Sequence, residues 1–150
     1  MKVSVIQLLL MSMLFMSCSN DKSSSNSNEI TLELTSNDQM RYDKAKLNVR
    51  AGQKVTLVLR HAGKMKKSVM GHNFVLLKPK TDLVKFANLA AAAKGNDYIP
   101  AGNDVIAHTK MIGGGESTTI TFDAPPKGTY DYICSFPAHY MIMKGKFIVE

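Results

Sequence analysis

The stretch that most constrains this chain runs from Cys134 to Gly145 and reads CSFPAHYMIMKG. It places the thiol of Cys134, the imidazole of His139 and the thioether of Met143 within one short loop. A copper electron-transfer site uses these ligand types, with two histidines and one cysteine in a plane and a weak, long axial methionine. One histidine is missing from the loop, and the upstream segment MGHN, which contains His72, supplies a candidate. The two segments together predict a copper site made from these four side chains.

The residues around His72 suit the same site. Gly71 has no side chain, so the backbone can approach a metal closely there, and we expect its carbonyl oxygen on the axis opposite Met143. Asn73 is expected to hydrogen-bond across to the Cys134 loop, where it would fix the thiolate and tune the reduction potential. Phe136 is expected to help keep water away from the metal.

Cys134, taken alone, is open to three other interpretations. A lone cysteine is most often a small buried apolar residue. Zinc prefers tetrahedral sites without methionine and usually a close cysteine pair, whereas this chain has only Cys18 and Cys134. A cysteine–histidine nucleophile would need an orienting partner and a substrate pocket, and the sequence indicates neither. The spacing Cys-x4-His-x3-Met-Lys-Gly favours copper over these alternatives.

The N-terminus carries a targeting pattern. Lys2 precedes an apolar run from Val3 to Met16, which is shorter than the roughly 20 residues of a membrane-spanning helix. The run ends at Ser17 and Cys18, which resemble a bacterial lipoprotein cleavage site. The sequence therefore predicts a lipoprotein-type signal peptide over residues 1–17 and a lipidated Cys18, with ordinary signal cleavage as the alternative.

A polar segment separates this leader from the rest of the chain. Residues 19–29 read SNDKSSSNSNE and contain no apolar side chain that could be buried. We therefore expect a disordered tether over residues 18–29 and one folded domain over residues 30–150. The exported protein would then be periplasmic and held near a membrane. Because the two cysteines have separate roles, no disulfide is expected.

Hydrophobic alternation with a period of two runs through most of the domain, interrupted by turn clusters such as Thr35 to Gln39. Short strands with regular turns are typical of a Greek-key β-sandwich, so we predict an all-β fold of about eight strands. The predicted strands are residues 30–34, 46–50, 54–60, 72–77, 105–111, 116–122, 129–134 and 145–149.

One segment has helical spacing instead. Apolar residues at Leu83, Phe86, either Leu89 or Ala90, and Ala93 recur every three or four positions, and Gly95 follows them. The pattern predicts a helix over Thr81–Ala93, with Thr81 as its N-cap, as an insertion between strands.

At these motifs the chain resembles the azurins, type 1 copper proteins of the cupredoxin family. The resemblance is carried by the segments SNDQM at Ser36–Met40, VMGHN at Val69–Asn73 and VIAHTK at Val105–Lys110, together with the loop from Cys134 to Gly145. It implies an eight-stranded Greek-key sandwich with a helical flap. It also implies one copper, with His72, Cys134 and His139 in the plane and with Met143 and the Gly71 carbonyl on the axis.

The resemblance further implies one-electron transfer without substrate turnover. It implies redox partners such as c-type cytochromes or a copper-dependent reductase, which would dock on an apolar patch around the ligand loop. The family's patch corresponds here to Met40, Met65, Val69, Met70, Phe136, Pro137, Ala138, Met141 and Ile142. His139 would be the electron port, and His61 would occupy the place of a histidine near the site that can titrate.

The chain also departs from the family. Azurins usually carry a disulfide for which this chain has no cysteines, and their usual tryptophan and glycine are replaced here by Phe74 and Ala138. The lipoprotein-like leader also differs from the usual plain export signal.

Two other functions use similar copper ligands. A copper-storage or copper-delivery protein would need an exposed site for ligand exchange, and the rigid loop argues against it. A copper nitrite reductase would need a second copper site, yet only His61 and His108 remain as histidines. A net charge of +7 with dispersed lysines and no nucleic-acid motif does not indicate nucleic-acid binding.

Overall fold

The structure is a computed structural model that describes residues 28–150. The predicted signal peptide, the predicted lipidation site at Cys18 and almost all of the predicted tether lie outside the described residues. Within the described residues, the first strand begins at Glu29.

Nine strands and two α-helices form within residues 28–150. They are β1 (Glu29–Asn37), β2 (Arg41–Tyr42), β3 (Lys46–Val49), β4 (Lys54–His61), α1 (Lys67–Met70), β5 (Val75–Leu77), α2 (Leu83–Ala92), β6 (Val105–His108), β7 (Ser117–Asp123), β8 (Gly128–Ile133) and β9 (Lys144–Val149). Short 3₁₀ helices lie at Lys94–Asn96 and His139–Met141. Within this part of the chain, no helix combines the length and the apolar character that crossing a bilayer requires.

The strands form two sheets, in the orders β2-β1-β4-β7 and β3-β9-β8-β5-β6. The β1–β4 and β3–β9 pairs are parallel, and the remaining pairs are antiparallel. This is a Greek-key β-sandwich, as the sequence predicted.

Strand direction brings four loops together at one end of the sandwich. In one sheet β1 and β4 end there and β7 begins there, as the pairs Ser36↔His61 and Arg60↔Ser117 show. In the other sheet β6 and β8 end there and β9 begins there, as the pairs Val75↔His108, Val75↔Ile133 and Ile133↔Lys144 show. The segments 38–40, 62–74, 109–116 and 134–143 therefore meet, although they lie far apart in the sequence. The predicted metal ligands all fall in two of these segments.

The inner faces of the two sheets bury one continuous core. Alternation in β4 places Val55, Leu57 and Leu59 inside, and Phe147 of β9 lies against them from the other sheet. Full burial of one such side chain stabilises the fold by about 1.5–3 kcal/mol, so the core anchors the strand ends that carry the loops. A second cluster packs Phe86 and Ala90 of α2 beneath β5.

The predicted strands form at the predicted positions, but some of them begin or end at other residues. The turn predicted at residues 35–39 starts later, because Thr35 and Ser36 belong to β1 and pair with Arg60 and His61. The predicted strand over residues 72–77 is reduced to Val75–Leu77, because His72 forms only an isolated bridge to Ile112. The additional strand is β2, which pairs with the end of β1.

The predicted helix is confirmed as α2, but its N-cap is not Thr81. The Asp82 carboxylate accepts the backbone N–H groups of Val84 and Lys85, at 3.0 and 3.1 Å. The Thr81 hydroxyl instead donates to the Lys78 carbonyl at 2.9 Å. An ionised acceptor at this position also interacts favourably with the helix dipole.

We therefore expect Asp82→Ala to lower the free energy of unfolding by about 1 kcal/mol, because two helix N–H groups lose their acceptor. Thr81→Ala is the matched control and should cost less, since its hydroxyl caps no helix N–H. Urea unfolding of both variants measures the difference. An equal loss in the two variants would contradict the assignment of the cap.

Candidate metal centre

The loop between β8 and β9 is closed by its own backbone hydrogen bonds. The Cys134 N–H donates to the Met143 carbonyl at 3.0 Å, and the Met143 N–H donates to the His139 carbonyl at 2.7 Å. The His139 N–H donates to the Phe136 carbonyl at 3.0 Å. These bonds fold Cys134, His139 and Met143 towards one point, and all three side chains are buried.

His72 enters the site from the other segment. Its backbone exchanges two hydrogen bonds with Ile112, at 2.9 and 2.8 Å, and these bonds hold the His72 backbone in place. Its Nε2 lies 2.8 Å from the Asn37 carbonyl oxygen. Because a carbonyl only accepts, Nε2 carries the proton, and the lone pair of Nδ1 is left for the interior of the site.

The two segments bring three metal-ligating groups together. The Cys134 Sγ lies 3.5 Å from the His139 Nδ1 and 3.9 Å from the His72 Nδ1. The three potential ligand atoms all lie within 4.8 Å of one another. The Gly71 carbonyl oxygen is 3.7 Å from the same sulfur, on the segment that carries His72.

Asn73 ties the two segments to each other. Its Oδ1 accepts the Ser135 backbone N–H at 2.9 Å, and its Nδ2 donates to the Ser135 hydroxyl at 2.8 Å. The same Nδ2 also lies 3.1 Å from the Asp97 carbonyl. The predicted bridge from Asn73 to the cysteine loop is therefore present, and it is made to the residue directly after Cys134.

Aromatic rings enclose the cluster. The ring of His61 stacks on His72 with centroids 4.3 Å apart, beside the site as the family resemblance implied. Phe136 lies 4.6 Å from the His139 ring and packs in turn against Tyr98. Only 3% of His139 is exposed, so water has little access to this side of the cluster.

Burial decides the charge state of the three groups. Loss of hydration lowers the pKa of both His72 and His139 from 6.5 to about 4. Burial also raises the pKa of the Cys134 thiol to about 12, although the backbone N–H groups of Asn73 and Phe136 oppose the rise by hydrogen-bonding to the sulfur. At neutral pH the metal-free site thus holds two neutral imidazoles and one thiol.

This donor set fits copper. Neutral imidazoles and a soft thiolate, without a carboxylate among the three clustered groups, suit both oxidation states of that metal. The thioether of Met143 is fully buried in the same loop. The fold and the cluster together define a copper-binding Greek-key β-sandwich.

Comparison with known proteins agrees with this assignment of a copper-binding β-sandwich. The sequence model of copper binding proteins of the plastocyanin/azurin family matches residues 28–150. The chain is 44% identical to azurin of Achromobacter denitrificans over 122 residues, covering 78% of this chain and 80% of the relative. It is 42% identical to azurin-1 of Alcaligenes xylosoxydans xylosoxydans over 123 residues, covering 78% and 95%.

Solved structures show the same likeness. The crystal structure of dithionite-reduced auracyanin from the photosynthetic bacterium Roseiflexus castenholzii matches with a TM-score of 0.72 and 38% identity, covering 80% of this chain and 96% of auracyanin. The chain belongs to the plastocyanin/azurin family of copper-binding proteins. It is a blue copper protein that binds one copper ion and carries electrons without turning over a substrate.

Sequence reasoning missed three residues that support the site. Asn37 contributes only a backbone carbonyl, and Ser135 only a hydroxyl and an N–H, so neither carries a recognisable pattern. Tyr42 donates its hydroxyl hydrogen bond to the Asn73 carbonyl from β2, a strand that the sequence did not predict.

The charge states predict that copper uptake at pH 7 releases about one proton per ion. The thiol with a pKa of about 12 must ionise to become a ligand, whereas imidazoles with a pKa of about 4 are already neutral. As the pH falls below about 4, both imidazoles become protonated and copper affinity should fall more steeply. Calorimetry in buffers of different ionisation enthalpy measures the proton count.

Cys134→Ser is the control, and it should bind copper more weakly without releasing that proton. A count of two or three protons from the unaltered protein at pH 7 would contradict the assignment of neutral imidazoles.

Proposed function

We propose that this chain is an exported, periplasmic blue copper protein that carries single electrons between redox partners. The side chains of His72, Cys134, His139 and Met143, together with the Gly71 carbonyl, would hold the copper ion. A bound copper ion would supply the one-electron Cu(II)/Cu(I) couple. The observation that carries the proposal is the buried cluster of one thiol and two neutral imidazoles held within 4.8 Å.

The surrounding residues favour electron transfer over copper release. Each ligand-bearing segment is held by hydrogen bonds that do not involve a metal, as with His72 and Ile112. A site whose ligands are already in place reorganises little when its charge changes, and burial limits exchange with water. Ligand exchange with a chelator or another protein would require this closed loop to open.

The proposed docking patch surrounds the ligand loop. Met65, Val69, Met141 and Ile142 are 44–61% exposed, unusually high for large apolar side chains. Ala138 and Pro137 are also exposed, whereas Met40, Met70 and Phe136 are half-buried. His139, beneath the patch, is the proposed electron port. A small apolar surface suits a weak, transient redox encounter.

Lysines border this patch. Lys64, Lys66, Lys67 and Lys144 are exposed, and within residues 28–150 none of these ammonium groups has an ion pair. The carboxylates of Asp38 and Glu116 accept backbone N–H groups. Asp38 accepts the Lys64 and Met65 N–H groups, and Glu116 accepts the Gly113 N–H. The surplus positive charge supports steering towards a partner with an acidic docking surface.

Export and anchoring rest on the leader alone. We propose that residues 1–17 are removed, that Cys18 is lipidated, and that residues 18–29 tether the domain to a membrane. Partners in that compartment would include c-type cytochromes or a copper-dependent reductase, consistent with the apolar patch and its lysine border.

The type 1 site predicts an intense visible absorption band when Cu(II) is added, because thiolate-to-copper charge transfer requires a direct sulfur–copper bond. Cys134→Ser should abolish the band while leaving the fold intact, as circular dichroism would show. A weak, pale spectrum from the unaltered protein, with rapid copper loss to a chelator, would favour copper delivery instead.

The lysine border predicts that the rate of reduction by an acidic redox protein falls as ionic strength rises, by on the order of tenfold between low and physiological salt. Lys66→Glu combined with Lys67→Glu should remove most of this dependence. Lys127→Glu, at the opposite end of the sandwich, is the matched control. Stopped-flow kinetics measures the rates, and a salt-independent rate would contradict the proposal.

Lipidation predicts that the membrane-extracted protein carries acyl groups on Cys18, and that Cys18→Ser releases the protein into the soluble fraction. Mass spectrometry of the intact protein checks the first outcome. An unmodified N-terminus created by cleavage at another residue would contradict it.

A further inference from the structure

Two tyrosines lie side by side, the half-buried Tyr42 of β2 and the fully buried Tyr132 of β8. The rings of Tyr42 and Tyr132 have centroids 5.5 Å apart, and each hydroxyl donates to a backbone carbonyl. Tyr132 donates to Lys44, in the connection between β2 and β3. Tyr42 donates to Asn73, within the segment that carries His72. The two phenols thus make the same kind of hydrogen bond, but only the Tyr42 hydroxyl bonds to the segment that carries His72.

Asn73 is the residue on which the two ligand segments converge. Its side chain makes two hydrogen bonds to Ser135, and its backbone N–H acts on the Cys134 sulfur in the direction that lowers the pKa of that thiol. Its own carbonyl accepts a hydrogen bond from the Tyr42 hydroxyl. The next residue, Phe74, is fixed by an N–H bond of 2.9 Å to the Thr109 hydroxyl. Every polar group of Asn73 therefore has a partner in another segment.

We propose that the Tyr42 hydroxyl is a positioning group for the copper site, which holds the Asn73 backbone so that its N–H stays directed at the Cys134 sulfur. This inference rests on the proposed ligand set, because the sulfur matters only as a copper ligand. Tyr42 is well placed for the task, since β2 is paired with the end of β1 whose Asn37 carbonyl also holds His72.

The consequence for the metal follows from hydrogen-bond electrostatics. An N–H directed at a thiolate withdraws electron density from the sulfur and stabilises the electron-rich reduced state of the site. Loosening that contact makes the sulfur a stronger donor. The oxidised state then becomes more stable relative to the reduced state, and thiolate-to-copper charge transfer requires less energy.

Tyr42→Phe tests this directly, because it keeps the ring and removes only the hydroxyl. We expect a lower reduction potential and a red shift of the main visible band. Tyr132→Phe is the matched control, and it should leave both quantities unchanged while losing a similar amount of thermal stability. Cyclic voltammetry and absorption spectroscopy of the copper-loaded proteins give the two readouts.

A second measurement needs no metal. Hydrogen exchange of the Asn73 amide, followed by NMR in the metal-free protein, should be at least several-fold faster in Tyr42→Phe than in Tyr132→Phe. If Tyr42→Phe does not fold, site-specific 3-fluorotyrosine at position 42 replaces it. Its more acidic hydroxyl is a stronger donor and should shift the potential and the band in the opposite direction.

The outcomes separate this inference from the proposed function. If the unaltered protein shows no intense blue band, the ligand assignment fails. If it is blue and Tyr42→Phe has the same potential, band and Asn73 exchange rate as Tyr132→Phe, the hydroxyl is only a core hydrogen bond, and the inference is overturned. The same holds if the fluorotyrosine protein is unchanged.

Discussion

The side chain of Asn73 joins two parts of the chain that are 62 residues apart, and the metal centre depends on that contact. One part carries His72, and the other carries Cys134, His139 and Met143. Neither part alone contains the clustered thiol and two imidazoles. The amide of Asn73 makes reciprocal hydrogen bonds with Ser135, and this geometry fixes both distance and orientation. The Greek-key topology brings the segments to one end of the sandwich, and the hydrogen bonds of Asn73 fix their positions relative to each other there.

Burial then determines what the assembled groups can do. Two imidazoles with depressed pKa values remain neutral ligands throughout the physiological range, while a thiol with a raised pKa stays protonated until a metal displaces the proton. A buried polar cluster is costly unless its hydrogen bonds are satisfied, and no buried side-chain nitrogen or oxygen in the described part of the chain lacks a partner. The site is therefore held by the protein rather than by the metal.

The sequence predicted those features that depend on local pattern. Alternation located β4 and β9, and the spacing from Cys134 to Met143 indicated the ligand chemistry before any geometry was known. What it missed depends on contacts between distant segments. Thr35 and Ser36 look like turn residues, yet they extend β1 because β4 offers them hydrogen-bond partners. Asn37 acts through a backbone carbonyl, which has no sequence signature. Tyr42 becomes important only when β2 is placed beneath Asn73.

We infer that the protein scaffold places the copper ligands before copper arrives. Crystal structures of the metal-free and copper-loaded protein test it most directly. The backbone of residues 71–73 and 134–143 should superimpose within about 1 Å between the two forms, as is typical of a preorganised site. A loop that is disordered without metal, or that moves by more than about 2 Å on loading, would show instead that the metal assembles the site.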